Sequence, residues 1–168
     1  LMNLLQKQRD AFGLTLFDSQ VNTHTRCKTS TTHYRLLLSQ LDRLLSNPER
    51  NKTTAAADAL HQIADSIHKR SLVVIFSDMF EHHADSDTLF SALQHLKHNK
   101  HEVILFHVVD KSKEIQFEFE NRPYLFVDVE SGEEVKVHSN EIRDTYINSM
   151  KEFKHDLKLR CAQYRIDF

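Results

Sequence analysis

A chain of 168 residues with 40% hydrophobic and 27% charged residues has the material for one buried core. Its formal net charge of −2, with no basic stripe interleaved with aromatics, excludes the electrostatic footprint of a nucleic-acid binder, and two glycines and two prolines exclude collagenous and low-complexity chains. No apolar run approaches the roughly 20 residues that span a bilayer and no signal-peptide pattern opens the chain, so the expectation is one cytoplasmic domain over residues 1–168 with no membrane insertion.

Leu1, Leu4 and Leu5 stand at helical spacing ahead of Gln6-Lys7-Gln8-Arg9-Asp10, which reads as the last turns of an amphipathic helix. The opening Leu1-Met2-Asn3 is mid-helix in that pattern, so the sequence reads as cut from something longer. Leu14-Thr15-Leu16-Phe17 is a short strand, Asp18-Ser19-Gln20 a hairpin turn, and residues 21–26 alternate as an exposed edge strand does. After Thr29-Ser30-Thr31-Thr32, the residues Tyr34, Leu37, Leu38, Leu41, Leu44 and Leu45 repeat at three and four and predict a helix that stops before Asn47-Pro48. A second capped helix begins near Thr53-Thr54 and runs through Ala56, Leu60, Ile63, Ala64 and Ile67.

The run Leu72-Val73-Val74-Ile75-Phe76 has no polar alternation, the pattern of a strand buried on both faces. A helix over 85–98, with Leu89, Phe90, Leu93 and Leu96 on one side, leads to a second such run at 103–109. Helix and strand alternate here, which predicts a mainly parallel sheet. Residues 115–137 switch to strict alternation, as in Ile115, Phe117 and Phe119 against Gln116, Glu118 and Glu120. They predict a small antiparallel excursion that turns at Glu130-Ser131-Gly132-Glu133 and is either a docking surface or a sheet-edge cover, the cover being favoured because alternating phenylalanines are more often core than interface. A last helix places Ile142, Tyr146, Met150, Phe153 and Leu157 on one face, and Tyr164-Arg165-Ile166-Asp167-Phe168 opens a strand.

In an open parallel sheet ligands are held at the carboxyl ends of the strands, which points to Ser77-Asp78 and to Asp110. A carboxylate there, beside a hydroxyl-bearing helix start such as Thr53-Thr54, suits Mg²⁺; the alternative is that Asp78 only hydrogen-bonds its own loop. The 12 histidines include His82-His83 and the triplet His95, His98 and His101 at steps of three, a spacing at which imidazoles can share zinc. With no HExxH and with Lys97, Asn99 and Lys100 around it, the triplet reads as solvated helix end. His107, inside an apolar run, reads as a hydrogen-bonded core residue, and Glu118 with Glu120 as a solvated face. Cys27 and Cys161 have no CxxC spacing, which indicates neither a zinc knuckle nor a redox dithiol; one long-range disulfide stays open, and because the chain has ample core and needs no staple the favoured reading is two reduced thiols. No GxSxG, GxGxxG or GxxxxGK[ST] is present.

Residues 8–18, 72–79, 103–110 and 128–133, taken in order, resemble the family called domain of unknown function fifty-eight, bacterial proteins with a von Willebrand factor A-like domain often encoded beside MoxR-type AAA ATPases. The resemblance covers nearly the whole chain. It implies an α/β, doubly wound, mainly parallel sheet truncated at the N-terminus, because the Asp-x-Ser-x-Ser loop and the first, central strand have no counterpart here. Of the family's metal-ion-dependent adhesion site, Asp78 matches the third loop and Thr54 the second, with Thr53 the alternative by a one-residue slip. The implied cofactor is Mg²⁺ in a complete member; this chain is expected to bind it weakly or not at all. The implied function is a non-enzymatic protein-interaction module whose partner is a MoxR-type ATPase. The rival readings are a metal-assisted hydrolase using Asp78 and Asp110 with His82 or His83, and a scaffold whose metal site is vestigial.

Overall fold

The structure is a computed structural model that describes residues 1–18, 20–46, 56–68, 70–79, 86–128 and 132–168. In chain order these form α1 (Met2–Gln8), β1 (Thr15–Phe17), β2 (Val21–His24), α2 (Thr31–Ser46), α3 (Ala56–Ser66), β3 (Leu72–Ser77), α4 (Ser86–His98) and β4 (Glu102–His107). A π-helical turn (Lys111–Ile115), β5 (Pro123–Val127), β6 (Glu134–His138) and α5 (Ser139–Gln163) complete the α/β chain.

The alternation of helix and strand across 56–107 does yield a parallel pair, β3 beside β4, in register from Leu72 opposite Glu102 to Ser77 opposite His107. On the other edge of β4, Asp167 makes a parallel bridge to Ile104: the Leu105 amide donates to the Asp167 carbonyl at 2.7 Å and the Asp167 amide to the Val103 carbonyl at 3.1 Å. The remaining pairs, β1 with β2 and β5 with β6, are antiparallel. The described strands are therefore not mainly parallel, and β1 does not pair with β3. The reason is chain length: three residues join β1 to β2, enough for a hairpin and far too few for a parallel crossover.

One core joins the two middle helices to one side of the parallel pair. Leu89, Phe90, Ala92, Leu93 and Leu96 of α4 and Ala56, Leu60, Ile63 and Ala64 of α3 pack with Ile75, Val103 and Leu105. Leu157 and Cys161 of α5 and Ile166 close the same cluster. Arg160 on α5 pins the start of α4, its Nη1 2.6 Å from Asp87 Oδ1 and its guanidinium 5.0 Å over the Phe90 ring. The expectation of strands buried on both faces is corrected here. Successive strand residues face opposite sides, and while Ile75, Val103 and Leu105 are buried, Leu72, Phe76, Phe106 and Val108 are about half exposed.

Helix α2 forms where its apolar repeat predicts, but only His33 and Leu37 are buried, and Leu44 and Leu45 lie in solvent. His33 Nε2 lies 2.9 Å from the Phe12 carbonyl oxygen and ties the helix to the bridge between Phe12 and Lys28. With so few glycines, three helices end on a left-handed cationic residue: Arg9 after α1, Lys100 after α4 and Arg165 after α5, at φ 62, 65 and 56. Each closes with an amide one residue later reaching back five positions, Asp10 to Leu5, His101 to Leu96 and Ile166 to Cys161, the pattern of a Schellman cap.

The excursion is antiparallel over β5 and β6 only. Residues 115–120, expected to alternate in a strand, instead complete the π-helical turn and a coil in which Phe117 takes φ 49. The alternating aromatics pack all the same: Phe117 and Phe119 lie 4.8 Å apart, Phe119 and Phe126 5.3 Å, and Phe117 meets Tyr146 of α5 at 4.8 Å. Ring contact, not strand pairing, selected that pattern. At the β5–β6 turn, residues 129–131 lie outside the described ones, and Gly132 has the positive φ of 74 that the turn was expected to need.

Candidate functional site

The carboxyl end of β3 is built from Ser77, Asp78 and Met79. The Val108 amide donates to the Ser77 carbonyl at 2.9 Å, carrying the parallel ladder past the end of β4, and the Met79 amide donates to Ser77 Oγ at 3.0 Å. Met79 is buried with φ 57, a left-handed conformation that costs a non-glycine residue roughly 1–2 kcal/mol. Backbone strain held in place by packing recurs at functional loops, and here it follows Asp78 directly. The Asp78 side chain is exposed, and its backbone carbonyl bonds to the His107 ring.

His107 stands at the matching end of β4, half-buried between Phe153, at 5.9 Å, and Phe168, at 6.1 Å. Burial pushes its pKa below the ordinary 6.5, with the Lys154 charge adding to the shift and the Asp78 carbonyl and carboxylate opposing it. His107 is hydrogen-bonded as expected, with the Asp78 carbonyl as its partner, but it is half-buried and lies outside the core cluster, which corrects its reading as a core residue.

Asp110 has a different occupation. It caps the π-helical turn: its Oδ1 accepts from the Ser112 amide at 2.8 Å, the Ser112 hydroxyl at 3.0 Å and the Lys113 amide at 3.0 Å, while its own amide donates to Glu114 Oε2 at 2.7 Å. The Lys113 amide and then the Ser112 hydroxyl hold its carboxyl below the usual range. A carboxylate spent on its own turn is a poor general base.

Thr53 and Thr54, the alternatives for the second adhesion loop, and His82 and His83, the imidazoles of the hydrolase reading, lie outside the described residues. Among the described residues no three His, Cys, Asp or Glu side chains are arranged to hold a metal ion. Asp78 is then the one described member of the expected Mg²⁺ set.

The histidine triplet separates. His98 is exposed, as expected of a solvated helix end, but His101 is buried, its Nδ1 accepting from the Ser71 amide at 3.2 Å. His95 is partly buried and turns to His61 on α3, not to its sequence neighbours. Glu118 and Glu120 are exposed, Glu120 lying 3.3 Å from Arg122. Both cysteines are free, Cys27 exposed and Cys161 buried.

What sequence reasoning missed is the outer face of the parallel pair. Phe76 and Phe106 stand directly opposite in register and stack at 4.9 Å with an interplanar angle of 9°, yet they are 59% and 49% exposed. With Leu72 and Val108 they make an apolar face that runs to within two residues of Asp78. An unbroken apolar run gives no sign of which side its helices take; only the placement of α3, α4 and α5 on the other side reveals it.

No helix among the described residues is long and apolar enough to cross a membrane. No curated protein and no solved structure matches the chain. A family model does match, over residues 1–156, and with that coverage the chain belongs to the family described as Protein of unknown function DUF58.

Proposed function

We propose that the chain is a non-enzymatic, cytoplasmic protein-interaction module, a von Willebrand factor A-like protein that works with a MoxR-type AAA ATPase in assembling or maturing another protein complex. The partner class and the doubly wound architecture come from the family resemblance. The observation that supports a binding role is the apolar outer face of β3 and β4, where two stacked phenylalanines stay half in water beside the strained loop that carries Asp78. Contiguous apolar surface of this kind marks sites of protein contact. Mg²⁺ is secondary in this reading, which rests on the apolar face. The hydrolase reading has less support, since Asp110 is engaged in its own cap.

The test is biolayer interferometry of the immobilised chain against a purified MoxR-type ATPase from the same organism, with and without Mg²⁺. A Phe76→Ser/Phe106→Ser variant should bind at least about tenfold more weakly, the equivalent of about 1.4 kcal/mol, with Asp78→Ala close to the parent. Binding that needs Mg²⁺ and is lost in Asp78→Ala, with the serine variant unaffected, would replace apolar docking with an adhesion site. A parent that does not bind the ATPase sinks the partner assignment.

A further inference from the structure

Three polar side chains meet where α3 crosses α4, on the flank of the core and away from Asp78. His61 and Asp65 stand one turn apart on α3, and His95 of α4 reaches both: its Nδ1 is 3.0 Å from His61 Nδ1 and its Nε2 is 3.3 Å from Asp65 Oδ1. The ring centroids are 5.2 Å apart with 43° between the planes, a separation at which the two Nδ1 atoms point at one another. Of the two neutral tautomers of His95, the one with its proton on Nε2 directs that proton to the carboxylate and leaves the Nδ1 lone pair facing His61. A carboxylate behind a histidine whose free nitrogen faces a second imidazole is the arrangement that outer-shell groups impose on metal-binding histidines.

We infer that His61 and His95 bind a divalent transition cation through their Nδ1 atoms, bridging α3 to α4, with Asp65 orienting His95 from behind. Two imidazole nitrogens on one tetrahedral ion, each about 2.0–2.1 Å from it, stand about 3.3 Å apart, so each ring turns by roughly 35° to swing its Nδ1 lone pair off the present 3.0 Å N···N line and onto the shared ion. Binding transfers the proton between the rings from His61 Nδ1 to its Nε2, so both ligands stay neutral and no proton need be lost. No third His, Cys, Asp or Glu side chain among the described residues completes a closed cage. The site is therefore an open one whose other positions hold water, reached through the partly exposed His95 side chain. Imidazole donors select Zn²⁺, Ni²⁺, Co²⁺ or Cu²⁺ over Mg²⁺ and Ca²⁺.

Zn²⁺ and Ni²⁺ titrations of the whole chain, followed by calorimetry and by thermal unfolding, test it. One equivalent should bind and raise the melting temperature, because the ion is held only by the folded helix pair, and Mg²⁺ should do neither. His61→Gln and His95→Gln should each weaken binding at least about tenfold and abolish the thermal shift. Asp65→Asn should weaken it by about tenfold, the low end of the outer-shell range, and His98→Gln should behave as the parent. In the unmutated chain, Co²⁺ should broaden the amide resonances around residues 61 and 95 before those near other histidines, which keeps the test alive if a variant fails to fold. A parent whose melting temperature ignores Zn²⁺ and Ni²⁺, binding that survives the double glutamine variant, or Co²⁺ broadening centred on other histidines would overturn the assignment.

Discussion

Adjacent residues of β4 should respond very differently to truncation. Leu105 is 1% exposed and packs with α4, so Leu105→Ala opens a cavity at a cost of about 2–5 kcal/mol. Phe106 is 49% exposed, and Phe106→Leu keeps most of its apolar area while losing the stack on Phe76, worth about 0.5–1.5 kcal/mol. Urea unfolding followed by circular dichroism measures both. With a slope of about 2 kcal/mol per molar urea, Leu105→Ala should lower the midpoint by about 1–2.5 M and Phe106→Leu by about 0.25–0.75 M. The experiment is run at two protein concentrations. If Phe106→Leu costs as much as Leu105→Ala at both, the outer face is packed within the monomer and the binding-surface argument fails. A Phe106→Leu cost that shrinks on dilution would instead show that copies of the chain cover the face themselves.

Burial pushes the Cys161 thiol up to about 11 from its ordinary 9.0, so a thiol reagent at pH 8 should modify one cysteine of the native chain, Cys27, and both in denaturant. Burial also lowers His101 and His107 below 6.5. Their unfolded imidazoles take up protons near 6.5 while the folded ones resist, so stability is complete above that pH and declines as pH falls through 6.5 toward the folded values. Melting temperatures from pH 8 to pH 5 should show the decline, and His107→Gln should flatten it. At the end of α4, Lys100 holds φ 65, and Lys100→Gly relieves a left-handed lysine. It should stabilise the chain by about 0.5–1 kcal/mol in urea unfolding, an unusual direction for a substitution to glycine.

The helices were legible because their signals are redundant. α4 shows apolar residues at 89, 90, 93 and 96, an Asp87 in its first turn and Lys97 in its last, all agreeing on the same span. Strand identity was legible too, but strand environment was not: Leu72-Val73-Val74-Ile75-Phe76 reads the same whether one face or two are covered. The segment 115–120 misled because alternating aromatics satisfy a ring cluster against Tyr146 as well as they satisfy a strand. At the candidate site, Asp78 was found by position alone, whereas Asp110 looked equivalent until its three donors appeared. The pairing of His61 with His95, 34 residues apart, has no local signature. His98 and His101 supplied a spacing that looked like one.

The one-sided core bears on how a partner would be held. The inner side of β3 and β4 carries α3, α4 and α5 in a single cluster, so the outer face rests on the best-packed part of the chain and not on a loop. A surface presented this way loses little conformational entropy when it is covered, because Phe76 and Phe106 are already stacked and their strands already paired. The same strands end at Ser77-Asp78-Met79, where a buried left-handed methionine fixes the course of the backbone beside the exposed Asp78. A protein seated on the phenylalanines is thereby brought within a few residues of a carboxylate. Apolar contact would then supply the affinity and Asp78 the orientation, which is why Phe76→Ser/Phe106→Ser is expected to weaken association and Asp78→Ala is not.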